Sequence, residues 1–310
     1  MCGIVGYIGN KKASDVIILG LKRLEYRGYD SAGISTIENN EIITTKCSGK
    51  VKDLVEEIAS DIHKGVIGMG HTRWATHGEP TEENAHPHED NSRKFSLIHN
   101  GIIENHYSIK EYLMKANVKF SSDTDTEVLV QFIGYLYKKE KLNFYDTVKL
   151  ALKEVVGTYG ILIMCEDEPE KLIAAKNGSP LLIGIGKDET FIASDVSAIL
   201  DYTRNVLYLE DGEIAQLESR SQKVNHIEHE QEIIKDVKKI KYTLEQIEKG
   251  HYKHFMLKEI FEQSQAVNDS IRGRIDDDNN VRLGGVINWI DRILTSEHIY
   301  ITACGTSWHA

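Results

Sequence analysis

Prolines and cysteines are scarce in this chain: four of each in 310 residues. The cysteines, Cys2, Cys47, Cys165 and Cys304, stand far apart and form no CxxC pair. That spacing excludes a disulfide scaffold or a structural zinc site and fits a reducing cytosol. No apolar run approaches the length of a membrane span, since stretches such as Ile161–Cys165 and Leu181–Ile185 are strand-sized. Positive charge is in deficit, with 37 Lys and Arg against 48 Asp and Glu and a formal charge of −11. A net anion has no electrostatic reason to seek nucleic acid or anionic lipid. The N-terminus lacks a basic region followed by an apolar stretch, so no secretory signal is expected. Cys2 stands where myristoylation requires glycine. No internal repeat or low-complexity tract occurs. A cytoplasmic protein without nucleic-acid or membrane partners is therefore expected.

What is present is ordinary for a globular protein, with 41% hydrophobic and 27% charged residues. The length allows one large domain and part of a second. Cys2–Gly9 reads as a strand, and Ala13–Leu24 as a helix with Ile17, Leu21 and Leu24 on one face. Asn39-Asn40 between Ile34–Thr36 and Ile42–Thr45 signals a hairpin. Val51–His63 predicts a helix, and Val66–Trp74 and Phe95–His99 predict buried strands. Thr124 and Glu127 form a capping-box pattern ahead of a helix carrying Val128, Leu129, Phe132, Ile133 and Leu136. Tyr145–Val155 predicts another helix, and Tyr159 to Leu217 is dominated by short strands. The pattern suggests α and β layers instead of a regular βαβ series. Ser219–Lys241 is dense in mixed charge and reads as the tail of a first domain entering a linker. Helical character resumes over Leu257–Arg274, and Ile299–Ala303 predicts a strand running into Cys304-Gly305-Thr306-Ser307. A second domain, truncated within a strand-to-helix turn, is the resulting expectation.

Cys2 is the first candidate for chemistry. Removal of Met1 would leave one residue with both a thiol and an α-amine, whose reference pKa values of roughly 8.5 and 7.7–8.0 are close. Such an amine can serve as general base for its own thiol. From position alone, Cys2 reads equally as a buried apolar residue of an edge strand.

The surrounding blocks favour the chemical reading. Met1-Cys2-Gly3-Ile4-Val5-Gly6 and Leu24-Glu25-Tyr26-Arg27-Gly28-Tyr29-Asp30-Ser31-Ala32-Gly33 resemble the class II glutamine amidotransferases. So do His71-Thr72-Arg73-Trp74-Ala75-Thr76-His77-Gly78, His99-Asn100-Gly101 and Ser122-Asp123-Thr124-Asp125-Thr126-Glu127. Within that class the blocks are most similar to the glutamine–fructose-6-phosphate aminotransferases, or glucosamine-6-phosphate synthases. The resemblance extends to Ala303–Ser307, which is similar to the start of a sugar-isomerase domain. It implies an α+β fold, a four-layer αββα sandwich of the N-terminal-nucleophile hydrolases, followed by a truncated α/β sugar-isomerase domain. The implied boundaries are 2–218 for the glutaminase domain, 219–256 for the linker and 257–310 for the second domain.

The resemblance also implies roles. Glutamine presents a carboxylate, an ammonium and an amide, and each needs a partner. Arg73 matches the family's carboxylate-binding arginine, and a guanidinium suits that task by binding bidentately. Asp125 matches the ammonium partner, although a carboxylate in the first turn of a helix also stabilises that helix. Thr76 and His77 match further glutamine contacts in a loop of about residues 73–81 that closes over the substrate. Asn100 and Gly101 match the donors to the tetrahedral oxyanion, although Asn-Gly is also a common turn. Arg27 and Gly28 match a block that orients the nucleophile. Trp74, by default a core residue, matches a tryptophan that gates ammonia passage. Thr306 and Ser307 suit a phosphate cradle for fructose 6-phosphate. Five histidines, His71, His77, His86, His88 and His99, cluster in sequence, but their spacing fits no zinc pattern and the mechanism requires no metal. No cofactor is expected. The implied partners are L-glutamine and, in a longer parent protein, fructose 6-phosphate and a second copy of the chain. Two alternatives remain: the glutaminase of another class II enzyme such as an amidophosphoribosyltransferase, or a latent glutamine-binding module if Met1 is retained.

Overall fold

The alternation of apolar residues along the first strand sets the architecture. In β1 (Gly3–Ile8), Val5 and Tyr7 point one way and pack with Ile17, Leu21 and Leu24 of α1 (Ala13–Leu24). Ile4 and Ile8 point the other way and pack with Ile98, Leu162 and Met164 of a second sheet. The computed structural model describes residues 2–58, 62–74, 78–229, 231–240, 252–271, 274–275, 281, 286 and 289–303. The chain divides into two compact units, Met1–Ile247 and Glu248–Ala310.

Within the first unit, one sheet contains β1, β2 (Ser31–Glu38), β3 (Glu41–Ser48), β4 (Ile67–Arg73), β9 (Leu182–Ile185), β10 (Thr190–Ala193), β11 (Asn205–Tyr208) and β14 (Lys238–Lys239). Their order is β14-β11-β9-β10-β1-β4-β2-β3. The other sheet contains β5 (His88–Glu89), β6 (Phe95–Ile103), β7 (Gly157–Cys165), β8 (Leu172–Asn177), β12 (Glu213–Leu217) and β13 (Gln222–His226). Its order is β13-β12-β8-β7-β6-β5, again with antiparallel ladders. α1 and α2 (Val51–Glu57) cover the first sheet. α3 (His106–Lys115), α4 (Asp125–Glu140) and α5 (Phe144–Lys153) cover the second. A third apolar cluster fills the space between the sheets, so the unit is the four-layer αββα sandwich that the resemblance implies.

Local chemistry explains much of the element placement. Asn39 and Asn40 adopt φ of 52° and 64°, which joins β2 to β3 with Glu38 opposite Glu41. Thr124 accepts a hydrogen bond from the Glu127 N–H at 3.1 Å, capping α4. Glu127 reaches back to the N–H groups of Ser121 and Ser122 at 2.8 and 2.6 Å.

Several expectations are corrected. α2 stops at Glu57 instead of continuing to His63, because Ile58 leaves the helical region at ψ 75°. His63 is instead buried between Thr36 and Thr45, at 2.8 and 2.9 Å. α3 was not anticipated, its apolar positions being sparse. The segment expected to open a linker at 219 supplies β13 and β14, one strand to each sheet. Ile299–Ala303, expected as a strand, pairs with no strand among the described residues, and Tyr300 and Ile301 are 87% and 90% exposed. The second unit does contain the expected helix, α6 (Phe255–Ile271). Cys304, Gly305, Thr306 and Ser307 lie outside the described residues.

Candidate active site

Strand register brings the candidate residues to one end of the sandwich. Gly3 pairs with Thr72 and Ile4 with His71, so Cys2 lies beside the end of β4, at Arg73 and Trp74. The Cys2 Sγ accepts a hydrogen bond from the Trp74 N–H at 3.2 Å and lies 3.6 Å from the Trp74 carbonyl oxygen. Burial pushes the Cys2 thiol pKa up, opposed by the Trp74 N–H and the Arg73 charge. The thiol is therefore not pre-ionised, and attack requires that a base remove its proton. No carboxylate or imidazole among the described residues hydrogen-bonds Sγ.

On the facing sheet, Asn100 pairs with Gly160 and points into the space between the sheets. Its Nδ2 donates to the Cys2 carbonyl oxygen at 3.1 Å. Gly101 has φ +134°, and a Cβ there would meet the Thr158 carbonyl oxygen at 2.0 Å. Only glycine fits that backbone.

Arg73 is nearly fully buried, and its guanidinium donates to the carbonyl oxygens of Glu79 and Gly78 at 3.2 and 3.4 Å. Asp125 occupies the first position of α4, where its Oδ2 accepts from the Ile103 N–H at 2.7 Å. Cys2, Arg73, Trp74, Gly101 and Asp125 line one cleft, together with Thr124, Thr126, His86 and His99. A cation and an anion thus stand with the thiol in one concavity. A larger groove, which includes Lys94, Asn117 and Tyr135, contains none of these candidates.

Gly28 has extended backbone, and a Cβ there would lie 2.8 Å from the Arg73 carbonyl carbon and 3.0 Å from the Trp74 nitrogen. It lets the chain approach the segment that touches Sγ. Arg27 ends the 3₁₀ turn Glu25–Arg27, and its side chain lies outside the description. Trp74 is not a core residue: it is 44% exposed and meets Tyr29 edge-on at 5.4 Å. Thr76 and His77 lie outside the described residues.

A buried histidine–threonine network along one wall of the cleft is the feature that sequence reasoning missed. His99 Nε2 donates to the Thr158 carbonyl at 3.3 Å, so the Thr126 hydroxyl donates to His99 Nδ1 at 3.1 Å. Thr126 in turn accepts from His86 Nε2 at 2.8 Å. His88 Nε2 lies 3.0 Å from the Thr124 hydroxyl. Burial lowers the pKa of His86 and His88 well below the ordinary value and lowers that of His99 as well. His71 is lowered to about 3, also by burial. These imidazoles are neutral hydrogen-bonding groups, and those of His86, His88 and His99 fix the start of α4, and hence Asp125. Among the described residues no group of three His, Cys, Asp or Glu has the arrangement to hold a metal. The available signal was the repeated pairing of histidine with a block residue, as in His71/Arg73 and His99/Asn100.

The family described as "Glutamine amidotransferase domain" matches residues 56–256. The glutamine--fructose-6-phosphate aminotransferase [isomerizing] of Bacteroides thetaiotaomicron is 50% identical over the whole chain, which covers 51% of that protein. The same-named protein of Chlorobaculum tepidum is 46% identical, again over the whole chain and 51% of its own length. The chain thus spans about half the length of these curated relatives. Among solved structures, the glutamine phosphoribosylpyrophosphate amidotransferase of B. subtilis superposes with a TM-score of 0.64 at 27% identity, over 73% of this chain and 49% of the other. With the sandwich, the cleft and a match across most of its length in agreement, the chain belongs to the glutamine amidotransferase domain family.

Proposed function

We propose that the chain hydrolyses the side-chain amide of glutamine with the Cys2 thiol as nucleophile. The observation that carries this reading is that Cys2 and the oppositely charged Arg73 and Asp125 line one cleft, with the Asn100 amide bonded to the Cys2 carbonyl oxygen beside it. Removal of Met1 exposes the α-amine of residue 2, which takes the thiol proton as Sγ attacks the amide carbon. The resulting oxyanion accepts from Asn100 Nδ2 and the Gly101 N–H. The protonated amine then returns the proton to the departing nitrogen, releasing ammonia and leaving a thioester. Water, deprotonated by the same amine, cleaves the thioester to glutamate. Arg73 pairs with the carboxylate of glutamine and Asp125 with its ammonium, while Thr76 and His77 add contacts and Arg27 and Gly28 steady the nucleophile.

The ammonia acceptor belongs to the whole protein. Fructose 6-phosphate fits better than phosphoribosyl pyrophosphate, because the relatives named for the former match across the whole chain at 46–50% identity. In that reading the product is glucosamine 6-phosphate, Trp74 gates ammonia passage, and Thr306 and Ser307 begin the phosphate site. The glutaminase core opens at residue 2 and runs beyond 218 to take in β13 and β14, and residues 257–310 open the sugar-isomerase domain. The same reading includes a homodimeric, cytoplasmic parent. Among the described residues no helix is long and apolar enough to cross a membrane.

The test is to incubate the chain, with Met1 removed, with glutamine and to measure glutamate and ammonia. Equimolar release that disappears in Cys2→Ala is expected. Release that persists in Cys2→Ala defeats the assignment.

A further inference from the structure

We propose that His71 is a positioning residue for the oxyanion hole, holding the Asn100 amide in the one orientation that presents its N–H groups to the substrate. This inference rests on the Asn100 role given above, and goes beyond it.

His71 lies on β4 opposite Ile4, fully buried, with its Nε2 2.9 Å from Asn100 Oδ1. The Asn100 Nδ2 donates to the Cys2 carbonyl oxygen at 3.1 Å. These two contacts fix each other. An amide turned over would set Oδ1 against the Cys2 carbonyl oxygen, two acceptors with no proton between them. With Oδ1 facing His71, the ring must carry its proton on Nε2. Burial keeps the ring neutral, so it has one proton to give, and Nδ1 is the bare nitrogen. Nδ1 has no hydrogen-bond partner among the described residues. Leaving a buried acceptor unpaired disfavours the fold. An apolar side chain would fill the site without that cost, so the imidazole is explained by its donation to Asn100. One Asn100 N–H is engaged by the Cys2 carbonyl, and the other remains to meet the oxyanion.

Because the donor it holds acts on developing charge, His71 contributes to the transition state more than to glutamine binding. The full chain with Met1 removed is assayed as wild type, His71→Ala, His71→Gln, Asn100→Ala and the His71→Ala/Asn100→Ala double variant. His71→Ala is expected to lower kcat about 10–100-fold, less than the direct loss of an oxyanion donor, with KM for glutamine changed less than about twofold. His71→Gln, whose amide nitrogen reaches the same place, restores most of kcat. In the Asn100→Ala background, His71→Ala has no further effect, because the group it positions is gone. If His71→Ala lowers kcat equally with and without Asn100, or if His71→Gln fails to restore kcat, the positioning role is wrong. If Asn100→Ala itself leaves kcat intact, the oxyanion assignment fails instead. ¹⁵N spectra of the wild-type ring at pH 7 give a check that needs no variant to fold. A proton on Nε2 agrees with the proposal, and a proton on Nδ1 overturns it.

Discussion

Cys2 precedes β1 and Cys165 ends β7, strands of the two facing sheets of one sandwich, and burial raises the thiol pKa of both. Cys165 closes β7 inside the core between the second sheet and its helices, and its pKa is pushed up to about 12. Cys47, on β3, is pushed up to about 11. What separates Cys2 from these is its surroundings. It is partly exposed at a strand end, accepts the Trp74 N–H, and faces a cleft that also holds Arg73 and Asp125. On the proposed function, the Cys2 thiol acts as a nucleophile through access, a nearby base and a prepared site for the charge it creates, and not through a low pKa.

The largest expected effect therefore sits at residue 2. Cys2→Ser should lower kcat for glutamine hydrolysis by about 10³-fold or more, while circular dichroism and the thermal midpoint stay near wild type. Cys165→Ala should do the reverse, destabilising the fold by about 1 kcal/mol with kcat unchanged. Equal activity losses at the two cysteines would erase the comparison.

Asn100→Ala is next, at about 10²–10³-fold in kcat, the range found when one oxyanion donor is removed. Measuring kcat and KM separately sharpens the assignment, because loss of a transition-state donor leaves KM nearly unchanged. Arg73→Ala and Asp125→Ala should act through KM, costing about 2–4 kcal/mol in kcat/KM. Asp125 also accepts the Ile103 N–H, so Asp125→Asn, which keeps an acceptor but loses the charge, separates binding from support of β6. Wild-type kcat/KM in either alanine variant would remove that residue from the site.

Much of this was legible in the sequence, and for physical reasons. α1 was found with its bounds intact because its apolar face recurs at helical spacing, and α4 because Thr124 and Glu127 state its first turn. The candidates proposed as nucleophile, charge pair and oxyanion donors were chosen from blocks that keep fixed order. β13 and β14 were missed because their residues are mostly polar or charged, and pairing at a sheet edge requires little side-chain burial. α3 was missed because only His106, Ile109 and Leu113 of its face are buried. The histidines were weighed as metal ligands because spacing along a chain cannot reveal a hydroxyl placed beside each ring. Thr126 meets His86 and His99 from 40 and 27 residues away.

Those histidines supply the next expected effect, which is smaller at each site. In the fold His63 and His71 are lowered to about 4 and about 3, and His86, His88 and His99 are lowered too, all by burial. In the unfolded chain each titrates at about 6.5. Below that pH the unfolded state binds more protons than the native state, so stability falls as pH falls. Their contribution is fully present above about pH 6.5 and is lost as pH drops toward about 3, at up to about 1.4 kcal/mol per pH unit for each ring. Urea midpoints at pH 7.5 and 5.5 check this. A midpoint unchanged or higher at pH 5.5 would show that the rings are not held neutral.

The central claim, that Cys2 alone among the cysteines does the chemistry, is tested most directly by covalent capture. The chain, with and without Met1, is inactivated by a glutamine-mimicking electrophile and analysed by intact mass and peptide mapping. The account predicts one adduct per chain, on residue 2, formed only where Met1 has been removed and blocked by excess glutamine. An adduct on Cys47 or Cys165, or equal labelling with Met1 retained, would contradict it.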